Sequence, residues 1–264
     1  MTLPIFTPPE DPGPSFFSLL QKVGVIEKIS EKIGNNASVT HGTTIVAIRY
    51  KGGVLMAGDR RATSGHLISH RTMEKVFPAD AFSGVGISGA AGPAMEMVRL
   101  FQLQLEHYEK VEGSPLSLEG KANQLSLMLK GNFPAAMQGL GVIPIFAGYE
   151  EKINEGRLFQ FDITGGRYEE KDFVATGSGS LHASTVVKLR HSSSVELNEA
   201  IDIALEALLE ASEEDSATGG PDLLRGIFPV VAKIDSNGFE RISDVELEGR
   251  TETMLQKISQ RGNS

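Results

Sequence analysis

Residues 41–61 read HGTTIVAIRYKGGVLMAGDRR. The threonine pair at 43 and 44 follows Gly42, and the run at 44–50 is dense in β-branched residues. This pattern predicts a buried strand that begins at the threonine pair. A turn at 51–53 separates this run from a second apolar run at 54–57, so the segment predicts a β-hairpin.

The position of Thr43 also suggests chemistry. A threonine hydroxyl is a weak nucleophile unless a base removes its proton. A free α-amine has a pKa of roughly 7.7 to 8, whereas a lysine side chain lies near 10.4. A threonine at a chain terminus therefore carries nucleophile and base on one residue. This requires removal of the first 42 residues, and Gly42 suits such a cleavage because glycine tolerates strained backbone. The alternative is a loop glycine before an ordinary strand.

Composition excludes several classes of function. The 264 residues carry a net charge of −9, which argues against a nucleic-acid or anionic-membrane partner, since both need clustered Lys and Arg. The chain has no cysteine, so disulfides and thiolate chemistry are excluded. The six histidines lack metal-ligand spacing, and we expect no metal and no cofactor. With no apolar run of about 20 residues and no secretory signal, we expect a cytoplasmic protein.

The N-terminal residues differ from the rest of the chain. Five prolines within 1–15 predict an irregular leader, and apolar residues at three- and four-residue intervals predict an amphipathic helix over 16–33. This segment is either a removable prosegment or a permanent N-terminal helix.

Beyond the hairpin, blocks of strands are separated by pairs of helices. The helix that follows Pro93 is expected to present Met97, Leu100, Phe101, Gln104 and Tyr108 on one side. Further strands are predicted at 81–91, 142–149, 158–163, 168–175 and 227–234, and further helices after Pro115, Gly179 and Val195 and over 245–259. This order indicates an α+β fold with two antiparallel sheets covered by helices.

The segment 43–63, TTIVAIRYKGGVLMAGDRRAT, resembles the start of the mature β subunit of bacterial, actinobacterial-type 20S proteasomes. The likeness extends to about residue 245 through MEKVF (73–77), GISGAAG (86–92), LEHYEKVEGSPLS (105–117), GNFPAAMQGL (131–140), GSGSL (177–181) and DSATGGPDLLRGIFPVV (215–231). It implies a threonine peptidase with the four-layer αββα sandwich of N-terminal-nucleophile hydrolases. It also implies a propeptide at 1–42 and a catalytic domain at 43–264.

The resemblance assigns roles to individual residues. Thr43 matches the nucleophile, exposed by autocatalytic cleavage between Gly42 and Thr43. Asp59 and Lys75 match a carboxylate–lysine pair, and a cation beside an amine and a hydroxyl lowers both pKa values. Ser178, Asp215 and Thr218 match residues that support the terminal amine, although many relatives carry serine at the position of Thr218.

Gly89 is open to two interpretations. With Gly84 and Gly86 it matches G-x-G-x-x-G, but a dinucleotide site needs an acidic strand-end residue about 20 positions later. Glu106 and Glu109 at that distance lie in a helical pattern, which disfavours a dinucleotide site. The resemblance assigns to the Gly89 N–H the role of oxyanion-hole donor.

The resemblance also implies a substrate cleft and an assembly. The binding strand carries Ala62, Thr63, Ser64 and Ser69, and the first specificity pocket is formed by Met73, Ile87 and Ala91, which suggests hydrophobic residues at P1. The implied partners are a ring of seven β subunits, α-subunit rings in the order α7β7β7α7, a ring ATPase and unfolded protein substrates. A non-proteasomal amidase with the same nucleophile and an inactive ring subunit are the alternatives.

Overall fold

The computed structural model describes residues 42–262. The Pro-rich leader and the helix predicted over 16–33 lie outside these residues. The predicted hairpin is present: β1 (Thr44–Tyr50) and β2 (Gly53–Gly58) pair antiparallel, from Ile45 opposite Gly58 to Tyr50 opposite Gly53. Gly52 in the turn has φ +99°, a conformation that suits glycine.

Ten further strands complete the antiparallel sheets. They are β3 (Ala62–Ser64), β4 (Leu67–His70), β5 (Val76–Asp80), β6 (Ser83–Gly89), β7 (Val142–Glu150), β8 (Glu155–Phe161), β9 (Arg167–Glu170), β10 (Phe173–Gly177), β11 (Val230–Asp235) and β12 (Gly238–Arg241). The first sheet has the order β10-β1-β2-β11-β12 and the second β5-β6-β7-β8-β9, while β3 and β4 form a separate pair.

The helices lie outside the two sheets and complete four layers. They are α1 (Ala91–Glu112), α2 (Leu118–Ala136), α3 (Ser180–Arg190), α4 (Leu197–Glu214) and α5 (Asp244–Gly262). One apolar cluster joins the first sheet to α3 and α4, a second joins the other sheet to α1 and α2, and a third lies between the sheets. The predicted αββα sandwich is therefore confirmed. No helix among residues 42–262 is long and apolar enough to cross a membrane.

The position of β1 inside the first sheet explains the unbroken apolar run. Val46 and Ile48 pack in the cluster with α3 and α4, whereas Ile45 and Ala47 pack between the sheets. Side chains alternate along a strand, and here both faces are buried, so the strand requires apolar residues on both faces.

Two sequence predictions were wrong in detail. The segment 168–175 was predicted as one strand, but it divides into β9 in the second sheet and β10 in the first. On α1, Leu100 and Tyr108 are 45% and 38% exposed, and the buried face carries Ala94, Met97, Val98, Phe101 and Leu105. Phe101 packs edge-on against Phe146, with ring centroids 5.9 Å apart, which orients this face toward the sheet. The strands β5 and β12 were not predicted, and β3 and β4 were expected only as the binding strand that the resemblance implied.

Thr251 on α5 provides a test of polar burial. Its side chain is fully buried, and its Oγ1 has no hydrogen-bond partner among the described residues. We expect Thr251→Val, which keeps the shape and removes the unpaired hydroxyl, to raise the free energy of unfolding by about 1 kcal/mol. Urea unfolding measures this. Thr253→Val removes an exposed hydroxyl bonded to the Gly249 carbonyl and should bring no gain. A lower midpoint for Thr251→Val would contradict the expectation.

Candidate active site

Thr43 lies immediately before β1 and is buried. Its carbonyl accepts a hydrogen bond of 2.8 Å from the Ser178 N–H, just after β10, and its own N–H donates to Ser178 Oγ at 3.3 Å. Its hydroxyl donates to the Gly42 carbonyl oxygen at 2.8 Å. The backbone and the hydroxyl of Thr43 are therefore both held in place.

Asp59, one residue beyond β2, is fully buried and accepts four N–H groups. Oδ1 accepts from the Thr44 N–H at 2.8 Å and from Lys75 Nζ at 2.7 Å. Oδ2 accepts from the N–H groups of Arg61 and Gly219, each at 2.9 Å. A buried carboxylate with this many donors is fixed in orientation.

Lys75 precedes β5, and its side chain is almost completely buried. Burial lowers its pKa below the ordinary 10.5, and the charge of Asp59 opposes this effect. Its ammonium has three N–H groups and three acceptors: Asp59 Oδ1, the Arg61 carbonyl at 2.5 Å and the Gly42 carbonyl at 3.3 Å. This matching favours the charged form. A cation therefore lies beside the carbonyl that precedes Thr43.

Asp215, directly after α4, forms the centre of a second network. Its Oδ2 accepts from Ser178 Oγ and, at 2.6 Å, from Thr218 Oγ1, while its Oδ1 accepts from the Ala217 N–H at 3.0 Å. Partial burial raises the pKa of Asp215, but these hydrogen bonds outweigh burial and the net pKa lies below 3.8. The carboxylate is therefore ionised at neutral pH.

Gly42 is buried against the loop that carries Asp215. A Cβ at this position would lie 1.8 Å from the Ala217 Cβ and 2.6 Å from its carbonyl oxygen. The Gly42 N–H donates to Thr63 Oγ1 at 3.4 Å. Only glycine fits this path of the chain.

Gly89 ends β6 with φ +105°, and a Cβ there would lie 2.2 Å from the Gly141 carbonyl oxygen. Its strand is joined to the site because the Ile87 N–H donates to the Lys75 carbonyl at 2.9 Å. Within residues 42–262, no hydrogen bond joins Gly89 to Thr43 or Gly42.

The comparison with known proteins decides the family. The family model described as "Proteasome subunit" matches residues 39–222. This chain belongs to the proteasome subunit family. Proteins named proteasome subunit beta are similar to it. The one from Acidimicrobium ferrooxidans is 55% identical over 263 residues, covering 99% of this chain and 96% of that protein. The one from Acidothermus cellulolyticus is 53% identical, covering 84% and 78%, and the one from Streptomyces griseus is 52% identical, covering 82% and 77%. The sequence-based prediction of a proteasome β-type protease is confirmed, and a subunit of this family assembles with others into a proteasome core.

The residues predicted to bind substrate fall into two groups in this proteasome subunit. Ala62, Thr63 and Ser64 form β3, and Ser69 on β4 donates to the Ala62 carbonyl at 3.0 Å. Among the described strands, β3 pairs only with β4. Met73 and Ala91 are half-buried, and Ile87 is buried. The first group therefore lies on the β3–β4 pair, whereas Ile87 lies on β6 of the second sheet, Met73 before β5 and Ala91 at the start of α1.

Thr44 and Gly219 were not predicted as site residues in this proteasome subunit, although both contact the networks. The Thr44 N–H bonds to Asp59, and the Thr44 hydroxyl contacts Thr218 Oγ1 at 2.6 Å. The sequence carried a signal for Thr44, because side chains alternate along a strand and consecutive residues therefore face opposite sides. Gly219 has no comparable sequence signal, because it bonds to Asp59 through its backbone N–H and not through a side chain.

The lowered pKa of Asp215 predicts how stability depends on pH. Because the folded pKa lies below the unfolded one, its hydrogen bonds stabilise the native state above the ordinary pKa of 3.8. That contribution is lost as the pH falls through the folded pKa. We expect Asp215→Asn to lower the urea midpoint at pH 7 and the difference from wild type to shrink as the pH falls below 3.8. Asp172→Asn is the surface control. A difference that stays constant as the pH falls below 3.8 would contradict the assignment.

Proposed function

We propose that this chain is the catalytic β subunit of a 20S proteasome core and a threonine-type endopeptidase with Thr43 as nucleophile. One observation carries the proposal: the Thr43 hydroxyl lies 2.8 Å from the Gly42 carbonyl oxygen, and Lys75 Nζ lies 3.3 Å from the same oxygen. The hydroxyl is thus adjacent to the bond whose cleavage would free its own amine, and a cation is present to polarise the carbonyl.

The first reaction is self-cleavage of the Gly42–Thr43 bond. Thr43 Oγ1 attacks the Gly42 carbonyl carbon and loses its proton; the C–N bond then breaks and the nitrogen takes up a proton. This gives an ester on Oγ1 and a free α-amine. Water hydrolyses the ester, and residues 1–42 leave as a propeptide with a Gly42 carboxylate. The mature catalytic domain is 43–264.

The mature enzyme repeats this chemistry on a peptide. The α-amine, through a water molecule, takes the proton of Thr43 Oγ1, which attacks the scissile carbonyl. The Gly89 N–H stabilises the oxyanion, and the leaving amine departs with a proton. Water then hydrolyses the acyl-enzyme. Departure of Gly42 leaves one N–H of Lys75 free to bond the Thr43 hydroxyl, while Asp59 holds that lysine in place.

The substrate is an extended segment of an unfolded protein. Its backbone pairs with β3 on the side away from β4, beside Ala62, Thr63, Ser64 and the nearby Ser69. Met73, Ile87 and Ala91 give the first pocket an apolar lining, which favours hydrophobic P1 residues.

Family membership supports a larger assembly. Seven copies of this chain form a ring, two such rings stack between rings of α subunits as α7β7β7α7, and a ring ATPase delivers unfolded chains. This machine acts in the cytoplasm. The similar proteins named proteasome subunit beta support the β position.

The intact mass of the chain tests self-cleavage. Wild type and Thr43→Ala are each expressed with and without the α subunit, and the mass and the hydrolysis of a fluorogenic peptide are measured. We expect only wild type to lose 42 residues and to gain activity, because the variant lacks the attacking hydroxyl. Full-length wild type under every condition would instead favour an inactive ring subunit.

Lys75→Ala separates catalysis from folding. It removes the cation beside the nucleophile and leaves Asp59 buried with three backbone donors, so we expect kcat to fall by at least about 10³-fold while the fold is kept. Circular dichroism and peptide turnover measure the two effects. Lys171→Ala, an exposed lysine, is the control. Full activity in Lys75→Ala would refute the assigned mechanism.

A further inference from the structure

A chain of hydroxyl groups runs from Thr44 to the nitrogen of Thr43. Thr44 and Thr218 are completely buried, and their Oγ1 atoms lie 2.6 Å apart. Thr44 Oγ1 also contacts the Gly179 N–H at 3.1 Å. From Thr218 the chain continues to Asp215 Oδ2, then to Ser178 Oγ, and ends at the Thr43 N–H.

The direction of every hydrogen bond between Thr44 and the nitrogen of Thr43 follows from counting protons. A hydroxyl has one proton, a backbone N–H only donates, and an ionised carboxylate only accepts. Asp215 therefore accepts from Thr218 and from Ser178, which uses both of their protons. Thr218 can then only accept from Thr44. Since the Gly179 N–H donates to Thr44, the proton of Thr44 is free for this purpose.

The same count fixes the role of Ser178. Its proton goes to the charged Asp215 carboxylate in preference to the Thr43 carbonyl, which is 3.4 Å away. Its oxygen can therefore only accept from the nitrogen of Thr43. After cleavage, Ser178 would take one N–H of the amine and leave the amine lone pair free to act as base. A reversed Ser178 would occupy that lone pair.

We propose that Thr44 is a positioning residue: by donating to Thr218 it holds the Thr218 hydroxyl as a donor to Asp215, the carboxylate that keeps Ser178 as a hydrogen-bond acceptor toward the amine of Thr43. This rests on the proposed function, since the amine exists only after cleavage. Close packing around the two hydroxyls supports the proposal, because a Cβ on Gly179 would lie 2.4 Å from Thr44 Oγ1 and 2.8 Å from Thr218 Oγ1. The Gly179 backbone covers the hydroxyl pair.

Loss of the Thr44 hydroxyl changes the charge sensed by the amine. Thr218 loses the donor that polarises its O–H, so it neutralises less of the Asp215 charge, and the amine holds its proton more strongly. Among the described residues, the charged or titratable groups that act on Lys75 and Asp215, on the two sides of Thr43, are Asp59, Arg61 and, on α3, His182. The substitution alters none of them. The acid limb of the pH profile therefore moves to higher pH.

The test compares processed enzymes assembled with the α subunit. For Thr44→Val we expect kcat to fall about tenfold with KM unchanged, and the acid limb of kcat/KM to rise by about half a pH unit. Thr44→Ser keeps the hydroxyl and should stay within about twofold of wild type. Thr251→Val also removes a buried hydroxyl, but one outside the network, and should leave the profile unchanged.

Two outcomes overturn the proposal. In the first, Thr44→Val keeps the wild-type kcat and acid limb. In the second, the valine and serine variants lose equal activity with an unshifted limb, which would show that the Thr44 hydroxyl only fills space. If Thr44→Val does not assemble, Thr44→Ala removes the same hydroxyl with less bulk against Gly179. The acid limb of its pH profile then tests the proposal in the same way. Failure of the proposed function would give a different result, because wild type would then hydrolyse the peptide no faster than Thr43→Ala.

Discussion

The buried pair of Asp59 and Lys75 is the interaction on which the site depends. Their charged atoms are 2.7 Å apart with almost no exposure to solvent. Asp59 follows a strand of the first sheet and Lys75 precedes a strand of the second, so the pair joins both sheets at the point where β1 begins. Loss of one partner from such a buried pair typically costs about 3–5 kcal/mol, because the other charge remains uncompensated. Every other contact of Asp59 is with a backbone N–H, which fixes the loops at 61 and 219 relative to the strand ends.

Thr43 lies between two networks of opposite charge. Its hydroxyl and the preceding carbonyl lie on the side of the Lys75 ammonium, and its nitrogen lies on the side of the Asp215 carboxylate. A cation favours development of negative charge on the oxygen, and an acceptor hydroxyl organises the nitrogen. The fold therefore surrounds the two functional groups of Thr43 differently, which is what the proposed function requires of a residue that serves as both nucleophile and base.

The four layers explain why the site lies where it does. The helices cover the outer faces of both sheets and the sheets cover each other, so the polar groups of the site are gathered at the strand ends, where chain segments change direction. Glycines at 42, 89 and 179 are needed there because a Cβ would overlap a neighbouring chain segment. The packing that excludes larger side chains also keeps the hydrogen-bond networks rigid.

The sequence by itself determined the hairpin, the alternation of strand blocks with pairs of helices, and the family, because β-branched runs, helical spacing and several long motifs are local signals. It also marked Thr43 by its position after Gly42, and it marked Asp59 and Lys75 only through resemblance to a family. The tertiary structure decided which apolar stripe of α1 faces a sheet, and it decided that 168–175 crosses between sheets, since both depend on what packs nearby. It alone joined Thr44 and Thr218, which are 174 positions apart, because the direction of a hydroxyl proton depends on neighbours that no local pattern specifies.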